Sequence, residues 1–370
     1  MTVADLTERE LVARIQRRLP PAPAWLLVGI GDDAAVVEPE RNRVEVLTVD
    51  ALVEGVHFDR TFVPPPAIGH RALAVNLSDL AAMGAAPRLA LLSMALPAGL
   101  PVDDFDGIAD GVAALAAGHR LHVAGGNLTH SPGPLVIDMT LTGTVKRRQA
   151  LTRAGARPGD DVYVSGTLGA AAAGLAQLQE VVGRKSPVIG SQSSVVSPES
   201  SVGGPARRAT CDLRLTTAYL RPEPRVRLGI MLARNRAASA CIDLSDGLAD
   251  GAHRLAEASG VGIVIDGSAL PIDPSARAWF EAGGTDPVRA ALTGGDDYEL
   301  LFTVRPRTGR RLKEVERQGG VAIARIGRCT DGGGVVLQCG NDTAPMPEGY
   351  SHFARLNHLH PGSGESRSDA

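Results

Sequence analysis

Lysine is nearly missing from this chain. Of 38 basic residues only Lys146, Lys185 and Lys313 are lysines; the rest are arginines. Together with 43 glycines and abundant alanine, this is the mark of GC-rich coding and has no chemical meaning of its own. A net positive charge is lacking too. The formal charge is −3, whereas a non-specific nucleic-acid binder is usually strongly basic. Aromatic residues make up 3%, too few for a base-stacking platform. The four cysteines, Cys211, Cys241, Cys329 and Cys339, show no C-x-x-C spacing. They are too few for a disulfide framework and fit a reducing cytosol. The longest uncharged stretch, Val162–Gln179, is interrupted by Ser165, Thr167, Gln177 and several glycines, so it does not read as a membrane span. The charged and polar segment Met1–Arg18 does not read as a signal peptide. These absences predict a cytoplasmic protein that engages neither nucleic acid nor membrane.

What is present is enough apolar material for a sizeable core. Hydrophobic residues make up 44% and charged residues 21% of 370 positions, which suggests two folded domains. Thr7 and Glu10 form a capping-box pair ahead of an amphipathic helix carrying Leu11, Val12, Ile15 and Leu19. Strand patterns follow at Trp25–Val28, Ala34–Val37 and Val44–Val49. The sequence then predicts a helix over Pro66–Met83 stopped by Gly84, a strand at Leu89–Leu96 and a helix at Val102–Ala117. A short strand into Gly125–Gly126 and a strand at Leu135–Val145 complete the first half. Beyond a connector at Arg153–Asp160, strands are predicted at Asp161–Ser165, Ala240–Leu244, Val261–Ile265, Leu300–Val304 and Ala322–Ile326. Helices are predicted at Leu168–Glu180, Leu248–Ser259 and Gly309–Arg317. The class is therefore α/β or α+β. An N-terminal domain over 1–150 and a C-terminal domain over 151–360 are expected. Lys185–Pro205, rich in Ser, Gly and Pro, reads as a flexible insertion, and 361–370 as a disordered tail.

Acids cluster beside glycines where strands end. Asp32-Asp33 follow Gly29-Ile30-Gly31, Asp50 ends a strand, and Asp79 sits mid-helix. Asp243 and Asp246 flank Leu244-Ser245, and Asp296-Asp297 follow Gly294-Gly295. Singly, each is a turn or a helix cap. Together, carboxylates without comparable Lys or Arg repel one another, and divalent cations relieve that repulsion. Hard oxygen donors suit Mg²⁺, and Mg²⁺ points to a phosphate-bearing substrate. The P-loop is absent, because no Gly-Lys pair exists. Gly29–Ala34 matches G-x-G-x-x-A, yet two aspartates at the would-be helix N-terminus would repel a bare pyrophosphate, and the following residues read as strand.

The blocks Gly29–Ala34, Thr48-Val49-Asp50 with His57, Ala72–Ala86 (ALAVNLSDLAAMGAA), Leu151–Asp160 (LTRAGARPGD), Ile242–Leu248 (IDLSDGL) and Thr293–Leu300 (TGGDDYEL) stand in an order that resembles the thiamine-monophosphate kinase family. The resemblance runs from about Gly29 to Phe353. That family belongs to the wider superfamily of aminoimidazole ribonucleotide synthetase. The resemblance implies a two-domain subunit, an N-terminal domain that pairs with its copy through strands to give a homodimer, and an active site in the cleft between domains. The implied reaction is ATP plus thiamine monophosphate giving ADP plus thiamine diphosphate, assisted by several Mg²⁺ ions. It also implies metal ligands at Asp33, Thr48, Val49, Asp50, Asp79, Asp243 and Asp246, with Asp50, Asp79 and Asp246 central to catalysis. Gly126, Asn127, Arg153 and Ser245 fall on nucleotide positions, and His57, Asp296 and Tyr350 on substrate positions. Two positions depart from the family: Asn127 stands where an acid is usual, and Asp296 where a glutamate is usual. Another ATP-using enzyme of the superfamily, or a nucleotide-binding protein that has lost turnover, are the alternatives at this point. Selenophosphate synthetase would need a reactive Cys near the N-terminus, and no Cys precedes Cys211.

Overall fold

The computed structural model describes residues 1–185 and 212–349. Helix α1 (Glu8–Gln16) starts at the Thr7–Glu10 capping box, in which Thr7 accepts from the Glu10 amide. A small antiparallel pair, β1 (Leu26–Val28) and β2 (Val36–Val37), leads into the first main sheet. Its strands are β3 (Arg43–Val53), β4 (Ala86–Pro97), β5 (His122–Ser131) and β6 (Val136–Lys146), in the spatial order β3-β6-β4-β5. Helices α2 (Pro65–Ala82) and α3 (Val102–Gly118) pack against each other, and α2 lies on β3 and β6. The sheet alternates as a half-buried sheet must. Ile137, Met139 and Leu141 of β6 face the helices with no exposed surface, while Leu47 and Val49 of β3 are 69% and 58% exposed on the opposite face.

The second sheet has seven strands in the order β13-β12-β9-β11-β7-β10-β8. These are β7 (Asp161–Ser165), β8 (Ala240–Asp243), β9 (Gly262–Asp266), β10 (Leu300–Val304), β11 (Ile323–Thr330), β12 (Val335–Cys339) and β13 (Asp342–Pro345). Its helices are α4 (Ala170–Lys185), α5 (Leu213–Leu220), α6 (Val226–Asn235), α7 (Leu248–Ser259), α8 (Pro274–Ala282), α9 (Pro287–Thr293) and α10 (Gly309–Gly319). One core joins the two sheets. Leu73, Leu77 and Leu80 of α2 belong to the same buried cluster as Leu228 and Leu232 of α6 and Phe302 of β10. The α2–α6 crossing is very close. A β-carbon at Gly229 would lie 1.9 Å from the Ala81 carbonyl oxygen, so only glycine permits this approach.

The architecture is the expected mixed α/β fold with two sheet-based units. Four helices, α5, α6, α8 and α9, and the β12–β13 hairpin were not predicted. Strand β5 does not stop at Gly125–Gly126. It continues to Ser131, pairing in parallel with β4 throughout. Of the paired glycines that resemble a breaker, Gly126 is there for closeness: a β-carbon on it would sit 1.7 Å from the Leu92 carbonyl oxygen. The predicted insertion, apart from Lys185, and the predicted tail lie outside the described residues.

Candidate active site

A cavity of about 660 Å³ opens at the seam between the two sheets. Three elements bring acids to it. On β3, Thr48 and Asp50 stand opposite Leu141 and Met139, which places them on the helix-facing side of the sheet. On α2, Ser78 and Asp79 sit one turn before the helix ends. On the second sheet, Asp243 is the last residue of β8, and the turn Ser245–Gly247 feeds directly into α7. Hydrogen bonds tie the three together. The Thr48 hydroxyl donates to Asp79, the Ser78 hydroxyl donates to Asp243 Oδ2 at 2.7 Å, and the Asp50 and Asp79 carboxyls are within hydrogen-bonding reach of each other.

The electrostatics follow from this convergence. Asp50 is pushed up to about 7, first by burial at the cavity wall and then by the charges of Asp79 and Asp243. Asp50 is also open to the cavity by area, so water there offsets part of the burial. Asp243 is 7% exposed and is pushed up to about 6 by burial and the Asp79 charge, against the Ser78 hydrogen bond and the more distant Arg153. Such mutual opposition marks a site that favours added positive charge. Among the described residues, no three His, Cys, Asp or Glu side chains are arranged to hold one ion unaided. Mg²⁺ is usually bound by one or two carboxylates, with water and phosphate supplying the remaining ligands, so this spread suits a phosphate-bridged ion.

The loop before β10 forms the opposite wall. Asp296 adopts φ +67 and Tyr298 φ +49, left-handed conformations that non-glycine residues adopt only when held. The holding is visible. The Asp296 amide donates to the Ser245 carbonyl at 2.8 Å, and its carboxylate accepts from Tyr298 Oη at 2.9 Å and Arg71 Nη2 at 3.0 Å. His57 lines the cavity from the turn after β3. Its Nδ1 accepts from the Val53 amide at 3.0 Å, which leaves Nε2 as the protonated nitrogen of a neutral ring.

Among the residues expected from the sequence, Asp50, His57, Asp79, Arg153, Asp243, Ser245, Asp246 and Asp296 all line this one cavity. Thr48 reaches it through Asp79. Asp246 is not a bare anion, because Arg254 approaches it at 3.5 Å. Four others do not converge. Val49 points to the exposed outer face of the first sheet, so only its main chain is available on the inner side. Asn127 lies on that outer face too, in a row with Ser93, Asp138 and Ala51. Gly126 sits beside Asn127 on β5, and Asp33 is exposed in the loop between β1 and β2. Tyr350 lies outside the described residues.

Sequence reasoning missed Arg71 and Tyr298. Arg71 is 1% exposed in the middle of α2. It donates to the Tyr219 carbonyl and to Asp296, and its guanidinium lies 4.2 Å from the centre of the Tyr219 ring. The signal was a lone cation inside the apolar run Ala67–Ala82, where a charge is tolerated only when it is paired.

Residues 31–145 match the family described as AIR synthase related protein, N-terminal domain, and residues 157–340 match the corresponding C-terminal domain. The chain is 36% identical to the thiamine-monophosphate kinase of Salmonella typhimurium, covering 94% of this chain and 98% of that one. The crystal structure of the thiamine-monophosphate kinase of Stenotrophomonas maltophilia superposes with a TM-score of 0.75 at 37% identity, covering 92% and 98%. A solved complex of AaThiL with AMPPCP and TMP superposes with a TM-score of 0.66 at 33% identity, covering 91% and 95%. Full-length similarity at this level, on top of a cavity that gathers the acidic blocks in family order, shows that the chain belongs to the thiamine-monophosphate kinase family of AIR synthase-related proteins.

Proposed function

We propose that this protein is a thiamine-phosphate kinase. It transfers the γ-phosphoryl group of ATP to thiamine monophosphate, giving ADP and thiamine diphosphate. The observation that carries this reading is the meeting of Asp50, Asp79 and Asp243 from three separate elements in one cavity, in a chain of this family. The nucleophile is a phosphate oxygen, already ionised at neutral pH, so no general base is needed. Two polyanions must instead be aligned and their charge neutralised, which is positioning and electrostatics. Asp50, Asp79, Asp243 and Asp246, with Thr48 and the Val49 main chain, would hold Mg²⁺. Bound there, Mg²⁺ supplies positive charge to the phosphate oxygens. Arg153 and Ser245 would meet the nucleotide phosphates, and His57 and Asp296 the acceptor; all four line the one cavity. Transfer would be direct: among the described residues no Cys lines the cavity, and the ring of His57, which does, has Nδ1 engaged by the Val53 amide and a proton on Nε2.

Asp33, Gly126 and Asn127 belong in this reading to a homodimer formed through the outer face of the first sheet. Its support is the exposed apolar set Leu47, Val49 and Leu91, at 69%, 58% and 38%. An N-terminal domain over 1–150 would carry the dimer face and most of the metal ligands, and a C-terminal domain over 151–360 the opposite wall of the cavity. No described helix is long and apolar enough to cross a membrane, and the ATP requirement fits a cytoplasmic setting. ADP release measured with and without thiamine monophosphate tests the proposal. Release that depends on thiamine monophosphate is expected, whereas release indifferent to it, or none at saturating Mg²⁺, would overturn it.

A further inference from the structure

Several arginines of this protein are matched by carboxylates. Arg14 and Arg18 pair with Asp106, Arg71 with Asp296, Arg88 with Glu45, Arg225 with Glu299, and Arg325 with Asp161. One cluster is not. Arg236, Arg305, Arg307 and Arg311 line a separate cavity of about 400 Å³, floored by Ala237 and Ala238 and containing no acidic side chain in its wall. Among the described residues none of these four has a carboxylate partner. The Nε–H of Arg305 is buried and has no acceptor. The nearest acid in the hydrogen-bond network, Asp160, is itself buried and occupied by the Ser239 hydroxyl and the Arg157 amide.

The fold builds this cluster from four places. Arg236 is the left-handed C-cap of α6 at φ +50. Arg305 follows the end of β10, Arg307 lies in the turn Pro306–Thr308, and Arg311 is in the first turn of α10. Arg311 Nη1 donates to the Arg236 carbonyl at 3.2 Å, bracing the two ends against each other. The Thr308 hydroxyl is turned to the Arg305 and Ala237 carbonyls, so α10 starts without a side-chain cap. The site is distinct from the aspartate cavity. It sits at the opposite end of β8 from Asp243, about 10 Å of strand away, and the two cavities share no lining residue.

Four guanidinium groups held together without acids repel one another, and a bound anion removes that cost. Guanidinium forks match phosphate oxygens bidentately. We propose that this arginine pocket is a second anion site, which binds a small diphosphate-bearing molecule independently of Mg²⁺. A nucleic acid is disfavoured by the net charge of −3 and the 3% aromatic content. The same chemistry is offered by free inorganic pyrophosphate and by the diphosphate end of an organic ester, and the test separates them.

Titration calorimetry on the full chain in EDTA, with inorganic pyrophosphate as the probe, reads the site directly. Without metal the aspartate cavity repels anions, so saturable one-to-one binding is expected at the arginines. The double variant Arg236→Gln/Arg307→Gln removes two exposed cations without touching the core. It should weaken that binding about tenfold or more, given the worth of charged hydrogen bonds, and leave basal ADP release unchanged. Asp50→Asn should bind pyrophosphate as the natural protein does. A parallel titration with thiamine diphosphate identifies the source: tighter binding than pyrophosphate, lost in the same double variant, assigns an organic ester, and weaker binding assigns the inorganic ion. No binding at millimolar pyrophosphate, or binding that the double variant leaves intact, overturns the proposal.

Discussion

Asp50 and Arg71 are opposite cases at the scale of single residues. Asp50 sits among like charges and is held there by its strand, so removing its charge relieves repulsion. Asp50→Asn should keep the fold, with a thermal midpoint no lower than the natural protein's, while turnover falls about a hundredfold or more through lost electrostatic positioning. Asp79→Asn should behave alike. Near-normal turnover in either variant would take that residue out of the site. Arg71 is a buried cation with one carboxylate partner, whose side chain is 28% exposed. Arg71→Met leaves Asp296 without its guanidinium and should cost about 3 kcal/mol, the lower end for breaking a buried pair. If Asp296 faces the acceptor as proposed, Arg71→Lys should raise the KM for thiamine monophosphate more than the KM for ATP. Equal effects on both would make Arg71 a purely structural residue. The sequence made the aspartates legible because acids beside glycines at strand ends are rare as a set. It hid Arg71, because a charged residue in a helix ordinarily reads as a solvated face, and only the tertiary contact with Tyr219 and Asp296 shows otherwise.

At the scale of elements, the cavity depends on α2 being clamped between β3 on one side and α6 and β8 on the other. That clamp holds Asp50, Asp79 and Asp243 together in the folded chain and lets them separate in the unfolded one, which couples stability to pH. Both Asp50, at about 7, and Asp243, at about 6, are raised above the ordinary 3.8. The folded state therefore keeps protons that the unfolded state releases, so this contribution to stability falls as pH rises from about 4 to 7 and is flat above. The metal-free protein should lose thermal stability relative to Asp50→Asn across that window. If Mg²⁺ binds the ionised carboxylates as proposed, it should restore more at pH 8 than at pH 5. A thermal midpoint at pH 8 that ignores Mg²⁺ would contradict the clamp. Helix α2 was readable, at Pro66–Met83 against the observed Pro65–Ala82, because an apolar run ending at glycine is a strong signal. Strand β7, helix α7 and strand β10 were read to their observed limits. Helix α6 was not readable. It follows Pro222 and Pro224, and its N-cap Arg225 makes no capping bond, so it forms by packing its apolar side on α2 rather than by local signals. Helices α8 and α9 did carry a signal, Asp273-Pro274 and Asp286-Pro287, each aspartate capping the first turn behind a proline.

At the scale of the whole molecule, the expected site is divided between two faces. The aspartate cavity opens on the helix side of the first sheet, while Asn127 stands on the other side in line with Asp138 and Ala51. The order of the motifs along the chain does not show this division; the alternation of a strand does. Neighbouring residues of a strand point to opposite faces, so Val49 and Asp50 are adjacent in the chain yet serve different surfaces. The outer face is only partly covered: Leu26 packs with Leu89 and Ala124 at one end, and Leu47, Val49 and Leu91 are left in water. An open four-stranded face that carries such an exposed apolar set is more stable in solution when something covers it, and a second copy offers the same surface in return. Sedimentation should therefore show a dimer. Leu47→Glu with Leu91→Glu places two charges on each face without entering either core, and should shift the protein to monomer while its helical content stays unchanged. If Asn127 reaches a metal-bearing site only across that face, the monomeric variant should also lose the response to Asn127→Asp, which in the dimer should lower the Mg²⁺ concentration giving half-maximal rate. A natural protein that sediments as a monomer and still turns over thiamine monophosphate would remove the face from the mechanism and leave Asn127 an exposed strand residue.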